Sequence, residues 1–325
     1  MLVKSSDPVP AVVEHTTGRT SEGIYYNSWV PAGTEPEGYV YLVHGMAEHS
    51  GRYASFAGLL VVELNVVVIA HDQRAHGFTA CPIAGDLTNL GVMSVPGGIP
   101  QLAKDFQAVI SHTRNLELPV YVFGHSMGSV VARLGIDGVK NLRGVILSGV
   151  PTAPAYVETL AFPVIGGAIR LLRGIGHQLV QDLLITGKFD SLVGPVGEKN
   201  RFLSSDPQAV KGYNSDPMCG HLVDLDILLS IASTLTVLSE TPEKIFSNVH
   251  KTTPFLFVSG RNDPVCNFGE TATKDAKKMS KIGFTVTEIY FGNNCRHEFL
   301  NEKEPTKTDA SMQVISWIRN TQRQA

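Results

Sequence analysis

A chain of 325 residues, 43% of them hydrophobic, has the apolar surface for one large core carrying an insertion. Lys and Arg total 27 against 30 Asp and Glu, a net charge of -3, and no basic block interleaved with aromatics occurs, so nucleic acid is excluded as a partner class. The first residues carry Pro8, Pro10, Glu14 and Arg19 where a leader would be apolar, no run reaches the roughly 18 apolar residues of a membrane span, and Cys81, Cys219, Cys266 and Cys295 lack paired or zinc-type spacing; the expectation is a cytoplasmic protein with free thiols and no metal or cofactor.

In chain order, β-rich runs predict strands over Tyr39–Val43, Asn65–Ala70, Val120–Phe123, Gly144–Leu147, Pro254–Ser259 and Phe284–Tyr290. Several are apolar at every position, as strands buried on both faces of a parallel sheet are. Helical periodicity predicts helices over Tyr53–Glu63, Ile99–Arg114, Met127–Asp137, Gly269–Lys281 and Thr308–Arg319, the last with Met312, Ile315 and Trp317 as its docking side. The alternation implies a doubly wound α/β sheet. Between Pro151 and Leu222 the rhythm breaks into Pro- and Gly-punctuated apolar pieces, so residues 1–150 and 223–325 are assigned to the core and 151–222 to an inserted helical cap.

The sharpest motif is Gly124-His-Ser126-Met-Gly128, directly after a predicted strand and before a predicted helix. A tight strand-to-helix turn strains the serine backbone and lifts its Oγ out of the sheet, which makes Ser126 the candidate nucleophile. Downstream, Asp263 in Gly260-Arg-Asn-Asp-Pro follows a strand, at the sheet edge where α/β folds gather their sites, and is the candidate acid. His297, in the loop after the last strand, is the candidate base; His250 precedes the acid strand, and His177 and His221 lie in or beside the cap. The order Ser, Asp, His completes a nucleophilic triad. Charge developing on a carbonyl oxygen needs preorganised backbone donors, for which Met127 N–H and Met46 N–H, in the loop after Tyr39–Val43, are the candidates.

These residues, with His44-Gly-Met-Ala-Glu-His-Ser-Gly-Arg-Tyr53, His71-Asp-Gln-Arg-Ala-His-Gly77, Tyr213-Asn-Ser-Asp-Pro-Met-Cys-Gly220 and Arg296-His-Glu298, resemble the monoacylglycerol lipase and lysophospholipase group of α/β-hydrolases, also described as serine aminopeptidase S33-like. The resemblance runs from near residue 40 to the C-terminus. It implies the α/β-hydrolase fold, a cofactor-free esterase for single-chain glycerolipids, and a cap that forms an apolar acyl tunnel. Three positions depart from the pattern: Met46 where a small residue is usual, and Ala75 and Ser129 where glycine is usual, the last two expected to need packing adjustments only.

Other readings stay open at this point. Arg170 and Arg173, at helical spacing from Ile169 and Leu172, suggest a cap face for peripheral membrane contact, though an apolar face packed on the core is the stronger reading. A general esterase, thioesterase or S33-like peptidase is the alternative enzyme; a peptidase needs cap carboxylates for a free amine, with Glu158, Asp182, Asp190 and Glu198 available. A ligand-binding member of the fold that does no chemistry is the alternative outside enzymes. Acyl-chain length and oligomeric state are not encoded legibly.

Overall fold

The computed structural model describes residues 13–83, 85–114, 117–151, 181, 186–194 and 197–323. Its centre is an eight-stranded sheet in the order β1-β2-β4-β3-β5-β6-β7-β8. The strands are β1 (Val13–Arg19), β2 (Tyr25–Pro31), β3 (Tyr39–Val43), β4 (Val67–His71), β5 (Val120–His125), β6 (Leu142–Ser148), β7 (Phe255–Gly260) and β8 (Val286–Phe291). From β4 to β8 every pairing is parallel, and β1 and β2 add an antiparallel edge. The doubly wound sheet expected from the alternation is present.

The period of two along each strand sends alternate side chains to opposite layers. Tyr39, Tyr41 and Val43 of β3, Val122 of β5 and Phe257 of β7 join one core. Val40 and Leu42, Phe123, and Leu256 and Val258 of the same strands join the other. The helices Gly98–Thr113, Met127–Gly135, Leu225–Glu240 and Glu270–Lys281 cover the first face, and Ala54–Leu64 and Thr306–Arg323 the second. Both faces being covered is why these strands read as unbroken apolar runs.

Predicted and observed elements differ at their ends for local reasons. Asn65, expected to start a strand, is instead left-handed at φ 52 and closes the helix Ala54–Leu64, with its N–H on Val61 O; β4 starts at Val67. β1 and β2 were not predicted: β1 is a solvent-facing edge strand, exposed at most positions, and carries no apolar period. Nearly half of the expected cap (152–180, 182–185 and 195–196), with Glu158, Arg170, Arg173 and Asp182, lies outside the described residues. No helix among the described residues is long and apolar enough to cross a membrane.

Parallel pairing puts the carboxyl ends of the central strands on one edge in register. Val43 faces Gly124, His125 faces Ser148, Ser148 faces Val258, and Gly260 faces Phe291. The loops that carry the candidate site leave from these positions.

Phe106, fully buried on the helix Gly98–Thr113, stacks on His71 at 5.5 Å and meets Tyr41 edge-on at 6.1 Å. Phe106→Ala is expected to lower unfolding free energy by about 3–5 kcal/mol in urea titration. Val62→Ala, at a position 46% exposed, is expected to stay within about 0.5 kcal/mol. Equal effects at the two sites would contradict this layering.

Candidate active site

Ser126 stands between the last residue of β5 and the helix Met127–Gly135, with φ 50 and ψ -123. A left-handed backbone at a residue with a side chain stores on the order of 1–3 kcal/mol of strain. The neighbouring glycines permit the turn through their lack of a Cβ. A Cβ at Gly124 would lie 2.6 Å from Gly128 O, where the helix folds back over the strand, and one at Gly128 would lie 2.1 Å from Val43 O and 2.4 Å from His44 O. Gly128 thus lets the Ser126 turn press against the loop that follows β3. Ser126 N–H donates to Ser148 O (2.8 Å) and its carbonyl accepts Ser129 N–H (2.9 Å) and Ser129 Oγ–H (2.6 Å), so the backbone is held while Oγ is left free of any described partner. The serine at 129, expected to need only packing adjustments, therefore adds a bond to the turn.

The acid and base loops are fastened to each other. Asn262 N–H donates to Cys295 O (2.9 Å), Arg261 N–H to Phe291 O (3.1 Å), and a Cβ at Gly260 would meet Cys295 O at 2.2 Å. This brings His297 Nδ1 to 2.9 Å from Asp263 Oδ2, with Asp263 fully buried and His297 4% exposed. Asp263 Oδ1 accepts Val265 N–H at 2.9 Å. Burial opposes ionisation of Asp263, but the charge and hydrogen bond of His297 and the Val265 N–H outweigh it and hold the carboxyl below its ordinary range. For His297 burial again opposes the charged form, and the Asp263 carboxylate overrides it, raising the imidazole above 6.5. An ionised carboxylate only accepts, so the proton sits on Nδ1 and Nε2 is left as the basic nitrogen.

Ser126 and His297 are neighbours through shared contacts. A Cβ at Gly149 would meet His297 Cε1 at 2.8 Å and His125 Cε1 at 3.2 Å, and one at Gly45 would meet Ser126 Cβ at 3.2 Å and His125 Cδ2 at 3.3 Å. The rings of His125 and His297 lie 4.6 Å apart, and Phe202 closes the other side of His297 at 5.9 Å. A direct Ser126 Oγ to His297 bond is not among the contacts of the described residues.

The predicted oxyanion donors lie on the two loops that Gly128 brings together. Met127 N–H opens a helix and has no partner four residues back. Met46 N–H is flanked by two restrained neighbours. Gly45 N–H is held by Glu48 Oε1, and Ala47, at φ 55, has its carbonyl held by Tyr213 Oη–H (2.8 Å) and Gly220 N–H (2.9 Å). His44, read as shaping this loop, accepts Gln73 N–H on Nε2 at 2.9 Å.

Several residues with clear structural work escaped the sequence reading of roles. Arg52 bonds Glu48 Oε2 (2.6 Å) and forks onto both Glu298 oxygens (2.8 and 2.6 Å), and Tyr53 Oη–H donates to Glu48 Oε1 (3.0 Å). Asp72 holds Ser50 through its N–H (2.8 Å) and Phe78 N–H (2.6 Å). Glu48, Ser50, Arg52, Tyr53, Asp72 and Glu298 lie inside the strings quoted for the family resemblance, which was the available signal. Ala75 lies at φ 70, so the departure from glycine there costs backbone conformation rather than the packing adjustment expected. Cys266 is buried against Ser259 Oγ and Asp263 O, in keeping with a structural thiol.

Two groups among the described residues have metal-capable atoms within 4.8 Å of one another: His49 with Asp216 and Cys219, and Glu48 with His125 and Glu298. In the first, both His49 nitrogens are engaged, Nε2 with Asp216 (2.9 Å) and Nδ1 with Gly51 N–H (3.2 Å). In the second, Arg52 already bridges the carboxylates.

Residues 34–304 match the family described as serine aminopeptidase, S33. The chain is 27% identical to the monoglyceride lipase of Homo sapiens over 312 residues, 94% of this chain and 89% of that one. It is 28% identical to the monoacylglycerol lipase of Mycolicibacterium smegmatis over 301 residues, 91% and 92% of the two chains. In fold it is similar to a thermostable carboxyl esterase from Bacillus coagulans solved with glycerol (TM-score 0.77, 23% identity, covering 96% and 99%). It is also similar to a soluble variant of the Saccharomyces cerevisiae monoglyceride lipase solved with a substrate analogue (TM-score 0.67, 16% identity, covering 97% and 99%).

If His297 is the base, it works only when neutral. A pKa raised above 6.5 keeps it protonated to higher pH, so kcat/KM on a soluble ester is expected to fall as pH drops, with a midpoint above 6.5. Asp263→Asn is expected to lower kcat by roughly 10^4 through loss of the Nδ1–H tautomer. A midpoint well under 6.5 in the unmodified protein would remove His297 from the role.

Proposed function

Since the chain belongs to the serine aminopeptidase S33 family, we propose that it is a carboxylic ester hydrolase that works through an acyl-enzyme on Ser126, with monoacylglycerol as substrate. The observation that carries this reading is the buried His297 Nδ1 to Asp263 Oδ2 bond beside a serine held at φ 50. His297 Nε2 takes the Ser126 proton as Oγ attacks the ester carbonyl. Met46 and Met127 N–H hold the oxyanion. His297 then protonates the departing glycerol, activates water against the acyl-enzyme, and a fatty acid is released while Asp263 stays ionised.

The choice of acyl glycerol is supported by relatives named monoglyceride or monoacylglycerol lipase that align over nearly their whole length. Lysophospholipid shares the single acyl chain and differs at the head group. Of the carboxylates a peptidase would call on, Asp190 is taken up by Asn200 N–H (2.9 Å) and Phe202 N–H (3.0 Å). The four free thiols favour a reducing compartment such as the cytoplasm.

Labelling with a fluorophosphonate is expected in the wild type and absent in Ser126→Ala, with kcat lower by roughly 10^6. In a panel of 1-monoacylglycerols, lysophosphatidylcholines and short 4-nitrophenyl esters, the monoacylglycerols are expected to give the highest kcat/KM. Preference for lysophospholipid would move the substrate assignment, and a wild type that does not label would overturn the nucleophile.

A further inference from the structure

Behind the candidate site lies an ionic triplet that the hydrolytic scheme leaves without a task. Glu48, Arg52 and Glu298 come from the turn after β3 and from the loop carrying His297, and the two carboxylates are buried. Removing three charged groups from water is costly, and apolar side chains filling the same space would stabilise the fold as well or better. What apolar side chains lack is a fixed geometry. A guanidinium presents a rigid planar fork, and here the fork takes Glu298 with two bonds and Glu48 with one.

The far ends of those bonds bracket the proposed reacting groups. Glu48 Oε1 holds Gly45 N–H, immediately before Met46. The Arg52 guanidinium lies over the Tyr213 ring at 4.9 Å, and Tyr213 Oη–H holds Ala47 O, immediately after Met46. Glu298 follows His297 directly, and its own N–H is fixed by Leu203 O at 2.7 Å. We infer that Arg52 is a positioning residue which, through Glu48 and Glu298, holds the Met46 oxyanion donor and the His297 base in one geometry around the Ser126 oxygen. This rests on the hydrolase reading above.

The triplet carries one negative charge more than positive when both carboxyls are ionised. Burial opposes both charges, yet Arg52 holds Glu298 down to about 2, while burial and the Glu298 charge push Glu48 up. Glu298 and Glu48 both contribute to raising His297, so the same side chains favour the imidazolium that forms during catalysis.

The test compares wild type, Arg52→Lys and Glu298→Gln on 4-nitrophenyl butyrate, counting active sites by fluorophosphonate titration and measuring inhibition by butaneboronic acid, a mimic of the tetrahedral state. Arg52→Lys keeps the charge and loses the fork. It is expected to lower kcat per labelled site by about 10- to 100-fold, with KM within about twofold, and to weaken boronate binding in proportion to kcat/KM. Glu298→Gln is expected to lower kcat and to move the acid limb of kcat/KM to lower pH. A merely structural role predicts fewer active sites or a lower Tm with kcat per site and boronate affinity unchanged, and that result would overturn the inference. If Arg52→Lys fails to fold, Glu298→Gln decides alone: an unmoved acid limb with full kcat per site refutes the proposal. A wild type that neither labels nor turns over refutes the hydrolase reading itself, which is a different outcome.

Discussion

The His297 Nδ1 to Asp263 Oδ2 hydrogen bond joins two groups that are each costly to bury alone, and much of the surrounding architecture follows from keeping both dry. A buried carboxylate that loses its partner costs about 3–5 kcal/mol, so the acid and base loops must meet to within a fraction of an ångström. Their carriers are neighbours in the sheet: β7 ends in the acid loop, and β8 leads to the base loop. Gly260 allows the two backbones to touch, and the Asn262 N–H to Cys295 O bond locks the contact. On the far side, Arg201 and Ser204 carbonyls accept from Arg296, and Phe202 O accepts His297 N–H, so the described stretch before the helix Pro207–Ser215 roofs the pair.

The second constraint is the close approach at Gly128. The strain stored at Ser126 persists because the turn is pinned from three sides: by Ser148 O on the adjacent strand, by Ser129 from the helix, and by contact with the Val43 and His44 carbonyls. Two left-handed residues, Ser126 at φ 50 and Ala47 at φ 55, sit on the facing loops, each restrained by hydrogen bonds from other elements. Local strain held by hydrogen bonds from several elements is the pattern expected where geometry serves chemistry.

How far this was legible follows from the range of each signal. β3 was read to its observed ends, β5 two residues short at its end and β6 two short at its start and one at its end, since a strand buried on both faces announces itself in composition; β7 lies one residue later than read, and β4 and β8 start two later and end one later. The edge strand β1 and the helix Leu225–Glu240 were not singled out, the first because its residues face solvent, the second because its many apolar residues blur a helical face. The candidates Ser126, Asp263 and His297 were legible as a set because a nucleophilic triad needs three residue types in a fixed order on strand ends, and a sequence displays order. Glu48, Arg52, Tyr213 and Glu298 were not, because their meaning lies in contacts spanning up to 246 residues. The strings containing them were recognised as a signature, and the structure shows that these strings touch one another.

The histidines around the candidate site differ in how burial and their partners bias their charge. His44, His125 and His297 are all buried, and burial by itself disfavours charge on each. His125 faces no ionised partner at hydrogen-bonding distance, its Nδ1 pairing with the neutral Ser148 hydroxyl, and burial with the nearby His297 drives it down to about 3. His44 is likewise held well below 6.5 by burial and by His76, against whose ring it packs at 5.2 Å. His297 alone touches a carboxylate, and it alone of the three moves upward. On the proposed mechanism a proton leaving Ser126 would meet one ring biased to keep it, and the ring 4.6 Å away, biased toward neutrality, would not repel the imidazolium that results. Identical side chains in one cluster are biased in opposite directions chiefly by Asp263, with Glu298 and Glu48 adding to its effect, and Asp263 is fixed by the end of a strand.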